Sequence, residues 1–263
     1  MRSALTVVAL SLSAQMACAL PEFIPLQERA QGHSLVGAAQ FNESVYSNPA
    51  AAAFTPVYSV EGSMMQGTLA ASIVDTKTSY IGGTIGYVRE DDPVTGPMQS
   101  IRLGVSRKIN DVLAFGVMGK TIWTNTARLN DADVGILARL SPVELGFVTR
   151  NITGGNLDVA NQQREVAYGG RIGFKDSFFI SASATALAGQ ALSPYEYGLG
   201  TEFISPYYFS VKGGYRVETV SHLTHWSAGA SFISPRISAH YAVEFADNSG
   251  TIAAHQVGLS LLF

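Results

Sequence analysis

From about residue 56 to the last residue, apolar and polar positions alternate with a period of two, in segments of about ten residues separated by turn signals. Successive side chains on a strand point to opposite faces, so this period predicts strands rather than helices. Fourteen such segments follow one another, from "PVYSVEGSM" at Pro56 to "AAHQVGLSLLF" at the end of the chain. In "RISAHYAVEF", Ile237, Ala239, Tyr241, Val243 and Phe245 share one face, opposite Ser238, His240, Ala242 and Glu244. "YYFSVKGGYRVE" sets Tyr207, Phe209, Val211, Tyr215 and Val217 against Ser210, Lys212 and Arg216. The last segment carries Val257, Leu259, Leu261 and Phe263 as an apolar stripe that runs to the final residue, where a frayed, solvated terminus would be polar.

The connections are patterned too. Short ones ("DTK", "IND", Ser-Pro at Ser141, Ser205 and Ser234, Lys-Asp at Lys175) alternate with longer ones ("REDDPVTGPM", "TNTARLND", "TGGNLDVANQQ", "AGQALSP", "TVSHLT", "ADNSG"). Short turns at one rim and longer loops at the other are the pattern of an outer-membrane barrel. A soluble sandwich also alternates, but has no reason to keep that parity and solvates its polar face with more charge. The expected fold class is therefore all-β: a transmembrane antiparallel β-barrel of about fourteen strands at residues 56–263. It has twelve if the first hairpin belongs instead to the segment before it.

Composition sharpens this. Charged residues are 14% of the chain, against about 25% in ordinary soluble domains, while hydrophobic residues reach 47%. The N-terminus has Arg2, an apolar run from Ala4 to about Ala14 and then Ala17-Cys18-Ala19, which predicts a secretory signal peptide at residues 1–19, cleaved after Ala19. A lipoprotein anchor at Cys18 is the runner-up. After cleavage no cysteine remains, which excludes disulfides and thiolate chemistry. Without Arg2 there are 16 basic against 20 acidic residues, a charge of −4 that does not suit nucleic acid.

Residues 20–55 do not read as barrel wall. Their "GHSLVGAAQFNESVYSNPAAAAF", with small apolar residues leading to Asn48-Pro49-Ala50, resembles the N-terminal region of the FadL superfamily of outer-membrane transporters for hydrophobic molecules. The nearest likeness is to its short PorV-like branch, with further echoes in "LAFGVMGK" at Leu113 and "VELGFVTRNITG" at Val143. The resemblance implies fourteen strands with the N-terminal segment in the lumen and passive transport of small hydrophobic molecules across the outer membrane. Its PorV-like aspect implies the alternative, a plugged barrel that anchors or partners secreted or envelope proteins. The mature chain is much shorter than a full fatty-acid transporter and has no counterpart to the external ligand-capture lobes. Val257, Leu259, Leu261 and Phe263 resemble the C-terminal signal by which such barrels are recognised for insertion. The partners implied are outer-membrane lipid, the barrel-assembly machinery, and a hydrophobic ligand or an envelope protein.

The inward faces supply the candidate lumen-lining residues: Arg102, Lys120, Arg171, Glu196, Lys212, Arg216, His240 and Glu244. Turn lengths predict Arg139 opposite Glu144, Arg102 opposite Gly116, Lys212 opposite Gly198, and His240 between Gly229 and Gly258. Long polar side chains beside glycines would leave room in the lumen for residues 20–55, with Asn48-Pro49 turning just before the first strand; the alternative of equal weight is that the glycines ease strand curvature and the charges pair structurally.

No catalytic, metal or cofactor site is expected. "GHSLVG" lacks the glycine two residues after the serine that a nucleophile elbow needs. His222 and His225 read as loop polarity beside an interfacial Trp226, and "LNDADVG" lacks the rest of a calcium loop. Glu90, Asp91 and Asp92 read as a solvated loop tip.

Overall fold

The computed structural model describes residues 23–92, 96–125, 127–153, 163–175, 177–246 and 250–263. The expected signal peptide, its cleavage site and residues 20–22 lie outside the described residues. Fourteen strands follow in order: β1 (Tyr58–Met65), β2 (Thr68–Asp75), β3 (Gly82–Asp92), β4 (Gly96–Lys108), β5 (Leu113–Trp123), β6 (Arg128–Leu140) and β7 (Val143–Arg150). The second half comprises β8 (Glu165–Phe174), β9 (Phe178–Leu187), β10 (Glu196–Ile204), β11 (Phe209–Glu218), β12 (Leu223–Ile233), β13 (Ile237–Ala246) and β14 (Thr251–Leu262). Each strand pairs antiparallel with the next, and β1 pairs with β14, so the sheet closes with no free edge. Closure matters because lipid offers no partner to an unpaired backbone group. The first hairpin is wall, which removes the twelve-strand alternative.

The period-two pattern sorts outside from inside. On β4, Ile101, Leu103 and Val105 are exposed while Arg102 and Ser106 are buried; on β14, Val257, Leu259 and Leu261 are exposed while Gln256 and Ser260 are buried. Exposed apolar residues around a closed barrel whose polar residues are inside form a surface for hydrocarbon. Aromatics gather at its two rims, Tyr80, Tyr207, Tyr208 and Phe263 at the end that holds the C-terminus, Trp226 and Tyr197 at the other. No helix among the described residues is long and apolar enough to cross a membrane.

Two expectations need correction. The far-rim connections are not uniformly long: β1–β2 turns at residues 66–67, β5–β6 at 124–127 and β11–β12 at 219–222, and only the connections 151–164 and 188–195 are longer than four residues. Strands run further than their apolar stripes, because a polar inward face and a rim need no apolar side chain; Arg89 to Asp92, read as loop, end β3. Register also shifts. Arg139 faces Glu144 as expected. However, Arg102 faces Lys120, Lys212 faces Glu202, and His240 lies between Ser231 and Gly258 rather than Gly229 and Gly258. Turns of four residues at 109–112 and 205–208, and of three at 234–236, are longer than the "IND" and Ser-Pro cores suggested. Each error is an even number of residues, so it slides a residue along the lumen without turning it toward lipid.

The barrel closes at its last residue. Phe263 donates its backbone N–H to Tyr58 O (2.9 Å), its ring meets the Tyr58 ring edge-on at 5.5 Å, and Lys77 Nζ donates to its carbonyl (3.0 Å). Phe263→Ala or deletion of Phe263 should lower the yield of folded barrel several-fold, read as heat-modifiable migration on a gel; an undiminished folded band would show that this aromatic plays no part in assembly.

Candidate functional site

The lumen is filled by the chain's own N-terminal segment. Phe23 to Val57 carries a short helix α1 (Leu26–Ala30) and two 3-10 turns, Phe41–Val45 and Pro49–Phe54, and almost every residue in it is buried. The sequence is suited to this course, because Ala50, Ala51 and Ala52 are small enough to pack on β4, β5 and β6. Asn48 starts the second turn, its Oδ1 accepting from Ala50 N–H (3.1 Å) with Pro49 at the first turn position. Its Nδ2 donates to Val36 O (2.9 Å) within the plug and to Ile136 O (3.3 Å) in the wall.

Around the wall, inward glycines meet this segment. A Cβ on Gly229 would lie 2.6 Å from Ala30 Cβ, one on Gly198 2.9 Å from His33 O, and one on Gly86 would run into Val45 at 2.5 Å. Gly116 would strike the Pro49 carbonyl and Ala50 N, Gly135 the Asn48 side chain, and Gly146 the Val36 carbonyl. The contact is reciprocal at Gly32, where φ is +61° and a Cβ would fall 2.6 Å from Tyr215 N and 2.9 Å from Leu199 O. "GHSLVG" is thus a tight turn on the wall. Ser34 donates to Gln31 O (2.7 Å) and shares a hydrogen bond with Ser181 (2.6 Å).

Charged groups hold the plug from several sides. Arg216 reaches Glu196 (3.1 Å), Glu218 (2.6 Å) and Glu244 (2.7 Å), and Glu244 also receives Arg29 of α1 (2.8 Å). Arg29 donates further to Gln256 (3.2 Å), and His33 lies 3.3 Å from Glu196. Across the lumen, Lys120 pairs with Asp133 (2.9 Å), while Asp133 accepts from Asn151 N–H (2.9 Å) and Asp131 from Thr153. The two aspartates of "LNDADVG" therefore serve the lumen of β6. Arg102 lies 5.2 Å over the Tyr46 ring of the plug.

All eight candidate residues point inward, but the structure divides them. Glu196, Arg216 and Glu244 belong to the network around α1; Lys120 and Arg102 face each other on neighbouring strands; Arg171 pairs with Glu144 (2.8 Å). Lys212 and His240 border a cavity of about 100 Å³ between the plug and β8, β10–β14 and β1, on the side of the barrel that holds Phe263. His225, read as a loop residue, lies inside, 3.1 Å from Glu244, while Trp226 faces out and packs on Tyr215 (4.5 Å). Among the described residues no group of three or more His, Asp or Glu forms a metal-binding cluster. The sequence reading overlooked Glu43, Glu61 and Glu202 at the cavity; the strand parity that marks Ser59 and Gly198 as inward would have found Glu61 and Glu202. Burial, and after it the Glu61 carboxylate, pushes the Glu43 carboxyl in the plug well above its usual range.

The described residues thus form a closed fourteen-stranded antiparallel barrel whose N-terminal segment lies in the lumen. No protein-family model matches the chain, and no curated protein matches it in sequence. Among solved structures it is similar to the CymD monoaromatic hydrocarbon channel, with a TM-score of 0.63 at 11% identity, covering 93% of this chain and 97% of that one. It is similar also to the toluene transporter TodX of Pseudomonas putida, with a TM-score of 0.61 at 12% identity over 93% and 97%.

Two predictions follow from the contacts. Gly116→Val places a branched side chain where the plug backbone now lies; the variant should still form a barrel but lose about 1–3 kcal/mol of packing and become cleavable by added protease between residues 40 and 57. Wild-type protection would show that the wall yields instead. Glu144 holds Arg139 (2.6 Å) as well as Arg171, and only Arg139 is partly exposed, at 31% of its side chain. Arg139→Ala should therefore cost at most about 1 kcal/mol, and Glu144→Ala about 3 kcal/mol or more because Arg171 loses a buried partner; equal costs in denaturant titration would contradict this division.

Proposed function

We propose that the protein is an exported outer-membrane channel through which small hydrophobic molecules pass passively. In this reading residues 1–19 are a signal peptide removed after Ala19, the barrel-assembly machinery inserts the barrel using its C-terminal stripe, and the rim at Phe263 faces the periplasm. The observation that carries the proposal is the fold: the closed wall is shared with channels named for monoaromatic hydrocarbons and toluene, and its lumen is occupied by a segment of the chain itself rather than by a packed core of wall side chains. Passage requires the segment to move or to leave a gap in the wall.

Deleting residues 20–47 while keeping the signal peptide should raise single-channel conductance in a planar bilayer several-fold, and vesicles carrying the full-length protein should take up toluene faster than vesicles without it. Unchanged conductance in a folded deletion variant would exclude the plug. Vesicles no more permeable to toluene, with a stable envelope protein recovered on the barrel, would replace the channel with the anchor reading.

A further inference from the structure

We infer that the cavity between the plug and the rim at Phe263 is a binding site for a small amphipathic amine, with the ammonium on Gln27, Glu43 and Glu61 and the apolar body toward the rim. The inference rests on the channel reading and narrows its substrates.

The two basic groups at the cavity are already committed to partners. Lys212 Nζ is bound by Glu202 (3.0 Å), Ser210 (2.7 Å) and Ser231 (2.9 Å). Arg171 is bound by Glu144 and, with the Gln40 amide oxygen turned toward it, by Gln40 (2.7 Å). A third set of bonds runs in one direction. Gln27 Nε2 donates to His240 Nδ1 (2.6 Å), which puts the ring proton on Nε2; that nitrogen faces Ser260 Oγ (3.3 Å), and Ser260 donates to Glu61 (2.8 Å). The other amide atom of Gln27, Oε1, is buried without a partner, in a residue only 9% exposed that lines the cavity. The carboxyls of Glu43 and Glu61 line the same space.

An ammonium group carries three donors, one for Gln27 Oε1 and one for each carboxylate, and its positive charge offsets the repulsion that two neighbouring buried carboxyls exert on each other. A hydrocarbon placed here would strip water from them and return nothing, a carboxylate would be repelled, and an alcohol has one donor for three acceptors. The other half of the cavity is apolar. Leu35 and Phe41 of the plug face Ile204, Ile233 and Leu262, the last inward positions of β10, β12 and β14 before the rim. A cavity of about 150 Å³ accepts benzene, so one of about 100 Å³ encloses a short alkyl chain or part of one ring, the rest of the body extending toward the rim.

The probe is benzylamine, titrated by calorimetry into the full-length protein in detergent beside toluene, benzyl alcohol and benzoate. Benzylamine should bind at least tenfold more tightly than toluene or benzyl alcohol, with no binding of benzoate. Glu61→Gln and Gln27→Met, each checked for heat-modifiable migration, should weaken benzylamine at least fivefold. Benzyl alcohol binding as tightly as benzylamine to the wild type overturns the inference, whether or not the variants fold, and so does a folded Glu61→Gln variant with unchanged benzylamine affinity. Toluene uptake by wild-type vesicles separates the two claims. Uptake without benzylamine binding removes the amine site and leaves the channel, whereas benzylamine binding without uptake upholds the site and removes hydrocarbon passage.

Discussion

The fold depends on backbone lying against backbone between the plug and the wall. Eight strands close around an interior that side chains can fill, and sixteen to eighteen leave an aqueous channel. Fourteen fall between, too wide for the side chains of the wall alone. The chain fills the difference with residues 23–57, and a polypeptide can run along a strand at that distance only where the strand has no Cβ. Gly116, Gly146 and Gly198 supply those places on three strands, Gly86, Gly135 and Gly229 make room for plug side chains on three more, and Gly32 supplies the reciprocal backbone contact on the plug. Wall glycines lower β propensity, a cost offset here by the packing they admit.

Charge is the second consequence of a filled lumen. Side chains that would be hydrated in an open pore are here largely withdrawn from water, and such charges are tolerable only when paired. The network of Arg216 with Glu196, Glu218 and Glu244 does this while also reaching Arg29, so the pairs that neutralise the wall tie down the plug. Toward the rim at Phe263 the balance is different. Lys212 and Arg171 are committed to wall carboxylates and Gln40, while Glu43, Glu61 and the Gln27 amide oxygen border a space large enough for a small molecule. The two sides of the plug thus differ chemically, one held by ion pairs and the other open to a ligand.

Much of this was legible in the sequence, for a physical reason. A sheet with lipid on one face and protein on the other must alternate with a period of two, and that period is read without knowing which strand pairs with which. It gave fourteen strands, and it placed Arg102, Lys120, Arg171, Glu196, Lys212, Arg216, His240 and Glu244 on the inward face. The stripe ending at Phe263 was equally plain, since nothing but an apolar surround suits Leu259 and Leu261 at a terminus. Tertiary structure decided how far each strand slides past its neighbour. That depends on turns of two, three or four residues whose Ser-Pro cores look alike, so Arg139 met Glu144 while Lys212 met Glu202 instead of Gly198. It also decided which strand each part of the plug touches. The course of residues 23–57 is set by contacts between residues far apart in the chain, Pro49 with Gly116 or Val36 with Gly146, and no local pattern encodes a meeting of two backbones.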